Sequence, residues 1–211
     1  MAASRSGIWG WVRALFCLLL FFPVLGVGSQ DAAKQWLVDQ IQADGSLDSP
    51  ASKAITFQSS TEATINLLDA DQSLVGALSG VTNYLVFVDA DHSAENLSRS
   101  IRTTYALGQE FGEAQDELLK RQIAGSGFGA FPGYAPDPLS TAYALETLSL
   151  LGITQEPAAY ALQYLINAQN DDGSWALAGD VGRVQTTALA MHALWQYRHV
   201  YDVESPLQAA E

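Results

Sequence analysis

Apolar residues along most of the chain recur at the spacing of helices, and clean strand alternation is nearly absent. Four segments share one plan: a helical stretch, a glycine- or aspartate-rich turn, then a second helix marked by threonine or serine followed by alanine and leucine. The first runs through Ala33-Lys34-Gln35-Trp36-Leu37 to Ile41, turns at Asp44-Gly45-Ser46-Leu47, and resumes near Ser59-Ser60-Thr61-Glu62. Ser59 and Glu62 have capping-box spacing, and Ile65 and Leu68 follow three apart. The second is the most degenerate. Val81 to Val88 leads into Asp89-Ala90-Asp91-His92 and a helix containing Thr103-Thr104-Tyr105-Ala106-Leu107. Its stretch Thr82–Val88 is the one that reads equally as strand or helix.

The third segment runs from Ala114 to Ile123, turns through Gly125-Ser126-Gly127-Phe128-Gly129-Ala130-Phe131-Pro132-Gly133, and restarts at Asp137-Pro138. An aspartate N-cap followed by proline at the first helical position is a strong start signal. Gly152 ends that helix. The fourth opens at Pro157, turns at Asn170-Asp171-Asp172-Gly173-Ser174-Trp175, and continues through Thr186-Thr187-Ala188-Leu189-Ala190-Met191 to Trp195. The second helices are thus marked by Thr61, Thr103, Thr141 and Thr186, at a spacing of about 40 residues. Such a period predicts stacked helix pairs, each burying its apolar stripe against the next. The expected fold is all-α, with αα-hairpin repeats over residues 31–203 and a tail over 204–211.

Gln169 with Gly173 and Trp175 spells Q-x-x-x-G-x-W, and this resembles the repeat motif of squalene and oxidosqualene cyclases. Gly127-Phe128-Gly129 with Phe131-Pro132-Gly133, then Ser140-Thr141-Ala142-Tyr143, resembles the repeat of protein prenyltransferase β subunits. Gly45 sits in a fainter copy, with Leu47 at the tryptophan position. The resemblance spans most of residues 31–200 and is strongest in the last two repeats. It implies a partial α/α toroid of about four repeats, whose inner helices line a central cavity. Gln169, Gly173, Trp175, Gly127, Gly129, Phe131 and Gly45 are then structural motif residues: the glutamine caps free carbonyls at the end of the outer helix, the glycine permits the turn, and the ring packs over the junction. An oligomer or a partner completing the toroid is one way to close the arc.

Composition adds a location. Arg5 and Arg13 precede the apolar run Ala14–Phe22, small residues follow at Gly26, Gly28 and Ser29, and no acid precedes Asp31. This is the pattern of a secretory signal peptide over 1–29, with an uncleaved N-terminal anchor as the alternative. The expected location is extracytoplasmic, secreted or periplasmic. Cleavage removes two of ten basic residues, none of the 23 acidic ones, and the single cysteine, Cys17. The net charge of -13 argues against nucleic acid and against a polybasic grip on lipid.

No complete catalytic constellation appears. Cyclisation of squalene requires a strong acid, supplied in the resembling family by Asp-x-Asp-Asp. This chain has only Asp69-Ala70-Asp71-Gln72 and Asp89-Ala90-Asp91-His92. Zinc-dependent prenyl transfer and a thioester both need cysteine, which the mature chain lacks. Catalytic residues, metal ligands and cofactors are therefore expected to be none. The aromatic residues Tyr105, Tyr143, Phe131, Trp175 and Trp195 recur at similar repeat positions and His192 lies on the inner helix of the fourth repeat; Tyr105, Tyr143, His192 and Trp195 are candidates to line a cavity. The leading expectation is a secreted, non-catalytic module binding a small apolar ligand or a protein partner. The nearest functional analogue is a secreted toroid of the transcobalamin type, although no residue points to a corrinoid. The alternatives are a terpenoid cyclase- or prenyltransferase-like enzyme or its remnant acting on an isoprenoid, and a scaffold domain of a longer surface protein.

Overall fold

The computed structural model describes residues 30–47, 53–87, 91–177 and 183–210. The expected signal peptide lies outside the described residues. Within them the protein is all-α, with no strand and only two isolated bridges, Ile41 to Leu47 and Gln122 to Phe128. The helices are α1 (30–38), α2 (Lys53–Ala70), α3 (Val75–Leu78), α4 (Gly80–Phe87), α5 (Ala94–Ala106), α6 (Gly112–Leu119), α7 (Pro138–Leu150), α8 (Ala158–Asn167), α9 (Arg183–Tyr197) and α10 (Glu204–Ala209). The ambiguous stretch at 82–88 is helical through Phe87. Residues 204–209, expected as a tail, form α10, with Pro206 buried.

Four helices, α2, α5, α7 and α9, pack side by side in chain order. Helix α6 lies against α5, α8 against α7, and α10 against α9. Each connecting helix therefore rests on the inner helix of the unit before it. Helix α7, flanked on both sides, is buried almost all round from Pro138 to Leu148, as a helix in the middle of a layer must be. It starts where the sequence predicts: the Asp137 carboxylate accepts the Ser140 N–H at 2.8 Å, and Pro138 occupies the first turn. The predicted capping box at Ser59 is not formed. Helix α2 is already running at Lys53, so Ser59 lies inside it and its hydroxyl donates to Thr56 O at 3.0 Å.

Three corners repeat one hydrogen-bond pattern. The N–H groups of Gln42, Ile123 and Asn170 donate to the carbonyls of Ser46, Gly127 and Ser174, at 2.8, 3.0 and 2.9 Å. The N–H groups of Leu47, Phe128 and Trp175 then donate to the hydroxyls of Ser60, Thr141 and Thr187, at 2.9, 2.9 and 3.0 Å. One hydroxyl on each of α2, α7 and α9 thus clamps its corner. Ser60 and Thr187 are one residue away from the expected markers Thr61 and Thr186, whose side chains are fully buried. Phe128, fully buried, takes the place of Trp175, whereas Phe131 is half-buried and packs on Tyr134 with ring centroids 5.4 Å apart.

Gln169 does not cap its own helix. Its amide donates to Gly173 O at 2.8 Å and to Pro206 O of α10 at 2.9 Å. Gln122 does the same, to Ser126 O and to Pro157 O at the start of α8. A carboxamide has two N–H donors, and both are spent, one within the corner and one on the following unit. The glycines complete this seam. Gly45 and Gly173 have φ of 90° and 82°, and a Cβ on either would run into the backbone carbonyl of Gly80 or Ala209, in the next unit's helix.

The core is in two parts. The larger cluster spans α5 to α10 and includes Phe128, Trp175, Leu145 and Tyr197. The smaller joins α2 to the region of α3 and α4 through Leu47, Leu67, Leu68, Leu78, Val81 and Leu107.

Candidate functional site

Helix α5 separates two polar environments. At 100° per residue, Glu95, Arg99 and Arg102 fall on one face and Asn96, Leu97, Ser100 and Thr104 on a broad stripe largely opposite.

The first face joins the row of inner helices. Arg99, 8% exposed, donates through Nη1 to Glu62 of α2, through Nε to Glu95 at 3.0 Å and through Nη2 to the Tyr143 hydroxyl of α7 at 2.8 Å. Its guanidinium also lies 5.2 Å from the centre of the Tyr143 ring. Burial works against the charge of Arg99, but Tyr143, Glu95 and Glu62 more than offset it and raise its pKa. Burial also raises the pKa of Tyr143, so its hydroxyl stays neutral. Next along the row, Arg102 Nη1 donates to Glu146 Oε2 at 2.9 Å, and His192 Nδ1 meets Glu146 Oε1 at 2.6 Å. The Gln196 amide lies 3.1 Å from His192 Nε2. With that amide donating, the ring proton sits on Nδ1 and faces Glu146. Both oxygens of the one buried carboxylate on this face are therefore occupied.

Of the Asp-x-Asp candidates, Asp71 caps the 3-10 turn at 72–74, Asp91 braces the turn ahead of the Ser93 cap of α5, and Asp89 lies outside the described residues. The Asp71 carboxylate accepts the Ser73 hydroxyl at 2.7 Å and its N–H at 3.1 Å, and Lys34 lies at 3.5 Å. Those contacts, the Ser73 hydroxyl foremost, lower its pKa. A general acid needs the opposite shift. Asp91 accepts the Ser93 N–H at 3.1 Å and the Asn96 amide at 2.8 Å. Among the described residues no three His, Cys, Asp or Glu side chains gather as a metal site.

The second face of α5 borders an open cleft of about 670 Å³, lined by residues of α2, α4, α5 and α6 and of the loops between them. Its apolar wall comes from Phe57, Leu85, Leu97, Phe111 and Ala114. Asp91, Glu110, Glu113, Glu117 and His92 stand around it. The hydroxyl of Thr82, on its wall, is buried without a hydrogen-bond partner.

None of the four residues expected to line a cavity borders this one. Tyr105 is exposed, with its ring 6.0 Å from Phe111. Tyr143 is buried against Arg99, and His192 is exposed beside Glu146. Trp195 is half-exposed beneath the Arg198 guanidinium, 3.9 Å from its ring centre. The motif residues Gln169, Gly173, Trp175, Gly127, Gly129 and Gly45 sit in the corners, away from both faces. Sequence reasoning singled out Asp91 among the cavity acids but not Glu110, Glu113 or Glu117, nor Arg99 or Glu146; a charged residue on an inner helix was the available signal.

No family model matches the chain. Over 70 residues it is 40% identical to drimenyl diphosphate synthase of Streptantibioticus cattleyicolor, a stretch covering 33% of this chain and 13% of that enzyme. This is a partial relationship to a terpene synthase.

Proposed function

We propose that the protein is an exported, non-catalytic binding module made of terpenoid-cyclase-like helix repeats in a partial α/α toroid. The observation that carries the reading is the cavity of about 670 Å³ beside α5, which falls in the range of small-molecule sites and has a mainly apolar wall. The charged groups of the inner row support the non-catalytic side. Glu146 is engaged at both oxygens, and Asp71 and Asp91 brace the turns that follow them. Export rests on the basic and apolar pattern of residues 1–29.

Native mass spectrometry of the chain purified from its own host tests the reading, alongside binding of a neutral apolar fluorophore such as Nile red. A retained small molecule is expected, together with fluorophore binding that Ser100→Trp abolishes while the helical circular dichroism is kept. Fluorophore binding unaffected by Ser100→Trp would overturn the reading.

A second reading, a terpenoid cyclase-like enzyme, is favoured by the 40% identity to drimenyl diphosphate synthase. Incubation with squalene and with prenyl diphosphates separates the two. Specific turnover would establish the enzyme and displace the non-catalytic module.

A further inference from the structure

We propose that the open side of α9 is a self-association surface, through which two copies of the chain pair about a two-fold axis. This goes beyond the binding-module reading and does not depend on it. Val184, Ala188, Met191 and Trp195 recur at i, i+4, i+7 and i+11 and so share one face of α9. Val184 is 86% exposed and Trp195 51%, Ala188 is exposed, and Met191 is half-buried. Arg198 lies over one side of the Trp195 ring.

The repeat shows what such a face packs against. The caps Ser93 and Asp137, and the clamping hydroxyls Thr141 and Thr187, fix the register between α5, α7 and α9. In that register the face corresponds to Ala94, Ser98 and Ile101 on α5 and to Pro138, Ala142 and Leu145 on α7, all of them buried. The fourth position, Tyr105 on α5 and Ser149 on α7, lies at the rim and is partly exposed. Arg102 and Glu146, one turn beyond Ser98 and Ala142, reach forward to the next inner helix. Another inner helix therefore closes this side of α5 and of α7, and on α9 the same side is open and apolar.

The opposite end of the row argues for the occupant. There α2 presents Ser59, Ala63 and Asn66, in register with the buried Ser140, Ala144 and Thr147 of α7. Head-to-tail stacking would set Val184 and Trp195 against the polar groups of that edge. It would also bring α1 of the next copy onto the side of α9 that α10 already holds. Pairing of α9 with α9 of a second copy meets neither obstacle. An antiparallel crossing sets the Val184 end of one stripe against the Trp195 end of the other, with the small Ala188 near the axis. One helix face is small beside the roughly 800 Å² that a standard interface buries on each partner, so the dimer is a weak and exchanging one.

Sedimentation equilibrium over a concentration series, on the chain purified from its own host, tests this. A reversible monomer–dimer equilibrium is expected. Val184→Asp should abolish it and Trp195→Ala should weaken it about tenfold, with helical circular dichroism kept because both side chains are exposed. Tyr134→Asp, at an exposed residue before α7, should leave it unchanged. In a Cys17→Ser background, a short bismaleimide should link chains carrying Ala188→Cys to one another. Linkage that appears only on mixing with chains carrying Asn66→Cys means head-to-tail stacking and overturns the self-pairing. A dimer that survives both Val184→Asp and Trp195→Ala overturns it too. So does a chain that stays monomeric throughout the series, which leaves the face to a helix of another protein.

Discussion

The second helix pair and the last two are built from the same plan and differ in how well they close. In the third and fourth units a continuous connecting helix, α6 or α8, rests on the preceding inner helix, and the corner between is filled by Phe128 or Trp175 with no solvent exposure. In the second unit the connecting segment is broken into a 3-10 turn and the short helices α3 and α4 around Gly76, Ser79 and Gly80. Glycine and serine are poor helix interiors, which explains the break. The smaller core there is made of leucines and valine with no aromatic ring. The cavity opens beside that broken segment, between α4 and α6. Regular repetition gives stability, and the departure from it gives room for a ligand.

The comparison can be tested from its strongest side downward. Trp175→Ala should cost about 3–5 kcal/mol in denaturant unfolding, since it deletes a fully buried ring and the 2.7 Å bond from Nε1 to Leu165 O. Leu47→Ala, at the same corner of the first unit, should cost less, about 2–3 kcal/mol. Equal costs would break the distinction between strong and weak corners. Gly173→Ala and Gly45→Ala should each cost about 3 kcal/mol, because a methyl group meets a backbone carbonyl at a positive φ. Gly125→Ala has a φ of 69° but open space around it, and should cost only about 1–2 kcal/mol. Thermal melts of the three variants check this order.

Gln122→Ala and Gln169→Ala should each cost about 1–2 kcal/mol, and the double variant should be additive. Non-additivity would show that the two corners form one cooperative seam. The smallest effect is that of pH. Asp44, Asp71 and Glu117 have lowered pKa values, Asp44 through the Ser46 N–H first, Asp71 through the Ser73 hydroxyl first and Glu117 through Lys120 first. A depressed carboxyl stabilises the fold above its unfolded value and loses that contribution as pH falls through its folded value. Melting temperature should therefore hold down to the ordinary carboxyl values of 3.8 and 4.5 and decline below them, and Asp71→Asn should make the decline shallower.

The all-α fold and its corners were legible because their signals are local: a glycine corner, a Ser or Thr shortly after it, and a proline start at Asp137-Pro138. Register within the plan was less so. Thr61 and Ser60 are adjacent and chemically alike, and only the direction of the helix face decides which hydroxyl reaches Leu47. Gln169 reads from sequence as a cap for its own helix because the 37 residues to Pro206 carry no mark of the contact. The pairs on the inner row span 37 to 46 residues for the same reason. The cavity was illegible because its lining gathers residues of α2, α4, α5 and α6 that lie far apart in the sequence.

The glutamine corners also give the fold a direction in time. In each, the donor is made first and its acceptor comes 35 or 37 residues later. At ribosomal speed that is a delay of roughly 2–7 seconds, during which the amide waits on water. A growing chain thus leaves its newest corner unlatched until the succeeding pair emerges, and closure passes from N-terminus to C-terminus like a zip fastener that only runs forward.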